Sequence, residues 1–240
     1  MAEPRWLHLL LEAPLMAFGG VRIDQFNPTR DFPAASMLTG LIGNALGWHR
    51  SDGPAHQALQ DRLVFAARRE QEPAGSLLID MQNAKLEKND RGWTRSGQPE
   101  GRDGASYGAP HRRARHYHMD TSLRVLFRLD PADAPPDLET IAAAFERPAR
   151  PLFLGRKPCL PAARLLQGWI DAPDAHAALV AAAPVARRLR ALWPADSGPK
   201  DGDAVDRVVQ LADLRNWRSG LHAGGRAVVE GWLLPPEAAA

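Results

Sequence analysis

The pattern of apolar and polar positions separates strands from helices along most of this chain. Residues 6–12 are almost continuously apolar, which is typical of a central strand that is covered on both faces. Residues 122–129 alternate between apolar and polar, with Leu126 as the exception, and this alternation predicts a half-buried strand. Shorter apolar runs predict further strands at 63–67, 77–81, 205–211 and 227–234.

Helical periodicity is present in three other segments. Ser36 lies at an N-cap position, and after it apolar residues recur every three or four positions from 37 to 46. Residues 137–146 predict a second helix, capped by Asp137, and residues 175–193 predict a further helical region. The first half of the chain therefore has the order strand, helix, strand, strand, helix.

This order of elements resembles the ferredoxin-like βαββαβ arrangement that RNA-recognition modules also use. We expect an α+β fold, with a ferredoxin-like (RRM-like) domain at 1–170 and a smaller C-terminal α/β extension at 171–240 packed on it. Residues 82–118, here called the arm, interrupt the domain because they are polar and rich in glycine. Segments of this length between strands are usually functional or disordered.

The arm carries most of the excess positive charge of the chain. Eight basic and four acidic side chains give the arm a charge of +4, whereas the whole chain of 240 residues has +2. Trp93, Tyr107 and Tyr117 are interleaved with these charges. Cations for phosphates and flat rings for bases are what single-stranded nucleic acid requires. The basic residues are Lys85, Lys88, Arg91, Arg95, Arg102, Arg112, Arg113 and Arg115, and the acids are Glu87, Asp90, Glu100 and Asp103.

Composition and motifs exclude several classes of protein. The single cysteine, Cys159, excludes a disulfide framework and a CxxC zinc site, and we interpret it as a small buried apolar residue. The short apolar run near the N-terminus lacks the length of a membrane span and the cleavage site of a signal peptide, so we expect a cytoplasmic protein. The GxxxxGK[ST] and HExxH motifs do not occur, and no cofactor is predicted.

Four stretches resemble, in the same order, sequences of the Cas-five family of CRISPR-associated proteins in its type I-E form. They are 9–19 (LLLEAPLMAFG), 32–43 (FPAASML followed by GLIG), 115–120 (RHY before Asp120) and 150–159 (RPLFLGRKPC). The resemblance extends over about residues 6 to 170. The chain departs from the family at Asp31 and Ala35, where basic residues are expected.

The resemblance implies a ferredoxin-like domain with a projecting thumb and a place in Cascade, the CRISPR effector complex. There the family caps a helical row of backbone subunits (CasC), holds the 5′ handle of the crRNA, and adjoins the large PAM-reading subunit (CasA). Target DNA is a partner through the complex. Guide processing belongs to a separate endoribonuclease in type I-E systems, so the resemblance implies a structural, non-catalytic subunit.

Nine residues are candidates for RNA contact. Gly155 is expected in a turn that exposes backbone N–H groups to phosphate, with two cations beside it. In an extended segment Arg115 and Tyr117 face one partner, with His116 turned away. Ser36 is expected to cap a helix whose N-terminus could also receive a phosphate. The candidates are Ser36, Lys85, Lys88, Arg112, Arg113, Arg115, Tyr117, Arg156 and Lys157.

Two other interpretations stay open. His111, His116 and His118 could bind a metal, although only Asp120 lies beside them and no metal site is predicted. Histidine also suits acid–base cleavage of RNA, and a related type I-C member processes guides, so a metal-independent endoribonuclease that uses His116 or His118 with Tyr117 is the alternative. An assembly protein that binds no nucleic acid is a third class, against which the localised basic arm argues.

Overall fold

A computed structural model describes residues 3–21, 23–94, 97–103, 105–108, 110–222 and 224–236. These residues form a mixed α/β structure around one largely antiparallel sheet. The strands are β1 (Arg5–Met16), β2 (Phe26–Asn27), β3 (Leu63–Gln71), β4 (Leu77–Ala84), β5 (His111–Leu129), β6 (Leu166–Asp171), β7 (Leu189–Pro194), β8 (Val205–Leu211) and β9 (Arg226–Leu233). The helices are α1 (Ala35–Ala45), α2 (Gly53–Arg62), α3 (Ala105–Gly108), α4 (Leu138–Glu146) and α5 (Ala175–Ala181).

The main path of the sheet has the strand order β6-β1-β5-β3-β7-β9-β8. Helices α1 and α2 connect β1 to β3, and α4 lies between β5 and β6 in the chain. Strands β2 and β4 pair with the first half of β5, outside this path. None of the helices in the described part of the chain has the length and apolarity of a membrane span.

Two apolar clusters cover opposite faces of the sheet and explain the sequence pattern. Leu7, Leu9 and Leu11 of β1 belong to the larger cluster, which also contains residues of α1, α2 and α4. Trp6 and Leu126 belong to the second cluster, together with residues of α5. Because this second face is also buried, Leu126 is apolar where a half-buried strand would carry a polar residue.

The predicted helical region at 175–193 is wrong in its second half. Helix α5 ends at Ala181, and Leu189–Pro194 forms β7 instead. Pro184 disfavours helical geometry in the residue before it. After it, every second residue from Leu189 to Trp193 belongs to the second apolar cluster, as expected for one face of a strand. By contrast, the second predicted helix is confirmed as α4, and the Asp137 carboxylate accepts a hydrogen bond from Thr140 N at 2.7 Å.

The arm is more ordered than a loop at both ends. Strand β4 continues to Ala84 and β5 already begins at His111, so the predicted strand at 122–129 is the end of a strand of 19 residues. Pairing between β4 and β5 supplies partners for backbone N–H and C=O groups that the polar sequence does not reveal.

The C-terminal region adds strands to the sheet, and one of its loops contacts the N-terminus of α1. Strand β7 pairs with β3, so the predicted extension shares one sheet with the predicted domain. The loop between β8 and β9 places Asp213 at the N-terminus of α1, where its Oδ2 accepts a hydrogen bond from Ala35 N at 3.1 Å. The same carboxylate pairs with Arg226 Nη2 at 3.0 Å, and both side chains are largely buried.

Candidate nucleic-acid interface

The base of the arm is the antiparallel ladder of β4 and β5, whose two faces carry different side chains. Arg113 lies opposite Gln82 and Arg115 opposite Asp80, and residues that are directly opposite share a face. Since successive strand residues alternate between faces, Arg112 lies on the other face. The arm therefore presents guanidinium groups on both sides of one β-ladder.

The predicted RNA-contacting cations of the arm have no carboxylate partner in the part of the chain that the structure describes. Arg113 and Arg115 are partly buried, and the other three cations are exposed. Among the described residues, no ion pair involves any of the five, whereas many arginines elsewhere in the fold are neutralised by aspartate or glutamate. The five are Lys85, Lys88, Arg112, Arg113 and Arg115. Their charges are available to phosphate groups.

Cations and aromatic rings meet at the tip of the arm, as their interleaving suggests. The Arg91 guanidinium lies 5.3 Å from the centroid of the Trp93 ring, and that of Arg102 lies 5.2 Å from Tyr107. Trp93 is 57% exposed, so its ring is accessible for stacking. Arg95, the remaining basic residue of the arm, lies outside the described residues.

Tyr117 lies on the face that its spacing from Arg115 predicts, because both residues line one shallow groove with Pro158. However, Tyr117 is only 4% exposed and belongs to the larger apolar cluster. The expectation that its ring is free to stack on a base is therefore wrong in this structure. Tyr117 pairs with Leu78 of β4, and the Arg156 guanidinium lies over its ring. These partners are distant in the chain, so the sequence alone places at the surface an aromatic ring that the fold buries.

The turn at Gly155 fits only glycine. Its φ is +90°, and an added Cβ would overlap the carbonyl oxygen of Ala17. Arg156, which follows, is partly buried rather than exposed: its guanidinium lies 4.6 Å from the Tyr117 ring centroid and donates to His116 O at 3.0 Å. It also donates to the carbonyl of residue 27 at 3.1 Å. Of the two predicted cations, Lys157 is exposed.

Ser36 does not cap α1, contrary to expectation. The N-cap residue is Ala34, no side chain of the N-cap is bonded to the helix, and Ser36 N donates to the backbone oxygen of Asp213. The side chain of Asp213 occupies the N-terminus of α1 from a loop about 180 positions away. The Asp213 carboxylate disfavours a phosphate at this N-terminus, and Ser36 lines one wall of a cleft beside α1. The contact of Ser36 with RNA stays a prediction.

The arm histidines occupy three different environments. His118 is 5% exposed, its Nε2 lies 2.8 Å from Arg30 O, and burial is the main cause that lowers its pKa. His116 is partly buried, and His111 is exposed at the start of β5. Among the described residues, no three His, Cys, Asp or Glu side chains surround a common point. Cys159 is fully buried, as interpreted from the sequence, and burial raises the pKa of its thiol.

Sequence analysis missed a cleft of about 340 Å³ beside α1. One wall is α1, a second comprises the glycine segments near residues 20 and 155, and the third is the loop between β8 and β9. That loop contributes Arg215, Trp217 and His222. The alternation of cationic and aromatic residues at Arg215, Trp217 and Arg218 is the signal in the sequence that could have indicated this wall.

Comparison with known proteins gives consistent results over nearly the whole chain. A family model described as CRISPR-associated protein (Cas_Cas5) matches residues 6–229. The protein "CRISPR system Cascade subunit CasD" of Escherichia coli (strain K12) is 29% identical over 180 residues, which are 75% of this chain and 78% of that protein.

Two solved structures have a similar fold. A chain of a "CRISPR RNA-guided surveillance complex" superposes with a TM-score of 0.68 at 21% identity, covering 96% of this chain and 91% of its own. A "Crystal structure of Cas protein" has a TM-score of 0.58 at 20% identity, covering 96% of this chain and 97% of its own.

Proposed function

We propose that this chain, which belongs to the CRISPR-associated Cas5 family, is a non-catalytic subunit of a type I-E Cascade complex that binds the 5′ handle of the crRNA. The proposal extends to this chain what the name of its E. coli relative says of that protein. In this role the subunit caps the filament of backbone subunits and supports recognition of target DNA by the guide.

The unneutralised charge of the arm is the observation that carries this proposal. Lys85, Lys88 and Arg112 are exposed without an ion-pair partner in the described part of the chain, and so is Lys157 of the glycine turn. Arg156 links turn and arm through its bond to His116 O. The turn therefore adjoins the arm at His116, and we infer that phosphates of a single strand are bound along both.

The fold supports a relation to RNA-recognition modules. We infer that β1, α1 with α2, β3, β5, α4 and β6 are the six parts of a ferredoxin-like unit, because four of the strands have the sheet order β6-β1-β5-β3. The arm is then an insertion between the second and third strands of that unit. This arrangement extends the unit by a charged ladder without interrupting its core.

Apolar side chains at the arm support contacts with protein subunits. Ile79 and Met81 of β4 are about half exposed, and Phe26 of β2 is exposed to a similar degree. Phe26 and Met81 both pair with Ala114 of β5, so the two lie on one face on either side of a small residue. An exposed apolar row on a paired edge strand is typical of a protein interface. The proposed occupants are the backbone subunit and the large PAM-reading subunit.

The surroundings of His118 support a non-catalytic role over the endoribonuclease alternative. A general acid or base must reach the ribose 2′-OH or the leaving oxygen, whereas His118 is buried and its Nε2 contacts the carbonyl of Arg30. Incubation of the purified protein with repeat RNA, with and without magnesium, should give no discrete product. A single specific cut that is lost in His116→Ala would reverse this assignment.

Salt-dependent RNA binding tests the proposed function directly. The logarithm of the affinity for single-stranded RNA should fall linearly with the logarithm of the salt concentration, by roughly 0.7 for each phosphate contact. Lys85→Gln with Lys88→Gln should lower this slope, whereas the matched change Arg188→Gln with Lys200→Gln, outside the arm and the turn, should leave it unchanged. An affinity that does not depend on salt would contradict the proposal.

A further inference from the structure

The loop between β8 and β9 is held rigidly against α2. Gln60 Nε2 donates to Arg215 O at 2.9 Å, and its Oε1 accepts from Arg215 N at 3.1 Å and from Trp217 Nε1 at 3.0 Å. The Trp217 ring stacks on His56 with 4.5 Å between centroids. One glutamine and one histidine thus fix the backbone and the aromatic residue of the loop, so that the side chain of Arg215 starts from a defined position.

Two guanidinium groups converge beside this loop, and no described carboxylate pairs with either of them. A Cβ added at Gly220 would lie 3.2 Å from Arg215 Nη2 and 3.7 Å from Arg50 Nη2, so both groups approach the same point. Among the described residues, neither arginine forms an ion pair, and the buried Nε of Arg215 has no hydrogen-bond partner. The nearby carboxylate of Asp213 is already paired with Arg226.

Like charges at close range are unfavourable unless an anion lies between them. Burial lowers the pKa of Arg215, and the charge of Arg50 lowers it further, yet a guanidinium remains protonated at neutral pH. A partly buried guanidinium that has no ion pair among the described residues and lies beside a second cation therefore has the properties of an anion-binding site. A phosphodiester group matches it, because its oxygens accept hydrogen bonds from forked guanidinium donors.

The cleft connects Arg215 of this pair to the proposed RNA surface. Arg215 and Gly155 line the same cleft, and Gly155 begins the turn that carries Lys157. Met37 and Trp217 supply apolar and aromatic walls, and Arg30 adds a further cation. A single strand that leaves the turn can continue through the cleft with its phosphates toward the arginines and its bases or sugars toward the apolar walls.

We propose that Arg215 and Arg50 form a second phosphate-binding site for the guide RNA, beside the cleft that Arg215 and Gly155 both line. This inference rests on the proposed function, since it assumes that the bound strand is RNA. The inference assigns an RNA-binding role to the loop between β8 and β9. The proposed function, which depends on the arm and the glycine turn, does not require that role.

The test measures the salt dependence of RNA binding by the full chain and its variants. Arg215→Gln and Arg50→Gln should each lower the log–log slope by about 0.7, and in 0.1 M salt each should weaken binding about 5-fold. Lys200→Gln, which removes an exposed charge elsewhere, should change neither quantity. Arg50 is exposed, so its variant keeps the test valid even if Arg215→Gln lowers stability; thermal melting shows whether each variant is folded.

The outcomes separate this inference from the proposed function. Salt-dependent binding by the wild-type protein, with slopes that are unchanged in folded Arg215→Gln and Arg50→Gln, refutes the second site alone. Absence of RNA binding by the wild type refutes both proposals. If the two variants lost affinity only for single-stranded DNA of the same sequence and kept their affinity for RNA, the assignment of the site to the guide would also be overturned.

Discussion

Replacement of Arg156 and replacement of Lys157 should have opposite consequences, although the two residues are adjacent cations in one turn. The Arg156 guanidinium donates to the carbonyls of His116 and Asn27 and lies against the Tyr117 ring. Arg156 therefore holds the glycine turn against the base of the arm. Lys157 is exposed and has no ion pair within the described part of the chain.

The size of the effect follows from these contacts. Each hydrogen bond from a charged donor to a partly buried carbonyl contributes about 1 kcal/mol, and the contact with the ring adds about 0.5–1 kcal/mol. Arg156→Ala should therefore lower the free energy of unfolding by about 3 kcal/mol. For a chain of this length, that corresponds to a decrease in Tm of about 6–12 °C. Lys157→Ala should change the free energy of unfolding by less than about 0.5 kcal/mol.

Thermal melting and RNA binding together test this prediction. Lys157→Ala should leave the Tm unchanged and lower the salt slope of RNA binding by about 0.7, because it removes one phosphate contact and no internal bond. Arg156→Lys is the matched control for Arg156→Ala, since it keeps the charge but cannot donate to two carbonyls in the same geometry. Equal losses of stability in Arg156→Ala and Lys157→Ala would refute the division of roles, and so would an unchanged Tm in both.

Three further predictions concern stability. Burial, together with the charge of Arg124, lowers the pKa of His8 to about 4, so His8 is neutral when folded, and the unfolded chain binds the extra proton between pH 6.5 and 4. The resulting stability is complete above pH 6.5 and should decrease by about 3 kcal/mol as the pH falls to 4, whereas urea unfolding of His8→Gln should show a smaller decrease. Gly155→Ala should reduce the yield of folded protein, because its Cβ would overlap the backbone of Ala17; a wild-type Tm would contradict the close approach. Asp213→Ala removes the counter-ion of a buried guanidinium and should destabilise the fold by about 3–5 kcal/mol in urea unfolding, and a loss below about 1 kcal/mol would show that the pair is replaceable.

Much of the secondary structure is determined locally and could be predicted from the sequence. Three patterns depend only on whether one or both faces of a single segment are covered by apolar residues. They are the apolar run at 6–12, the alternation at 122–129 and the helical period of α4. The Asp137 cap needs only the three residues that follow it. The concentration of cations in the arm is likewise a property of one continuous segment, and the resemblance to the Cas5 family depends on short motifs in a fixed order.

The tertiary structure decided which of those residues are accessible and which are already engaged. Tyr117 and Arg156 are about 40 positions apart, yet each buries part of the other. Asp213 caps α1 in place of Ser36 because the sheet continues through β7 and returns a distant loop to the first helix. Such pairings do not appear in any local pattern, since the contacts that fix them join residues far apart in the chain. For the same reason the convergence of Arg50 and Arg215 beside Gly220 is visible only in the folded protein.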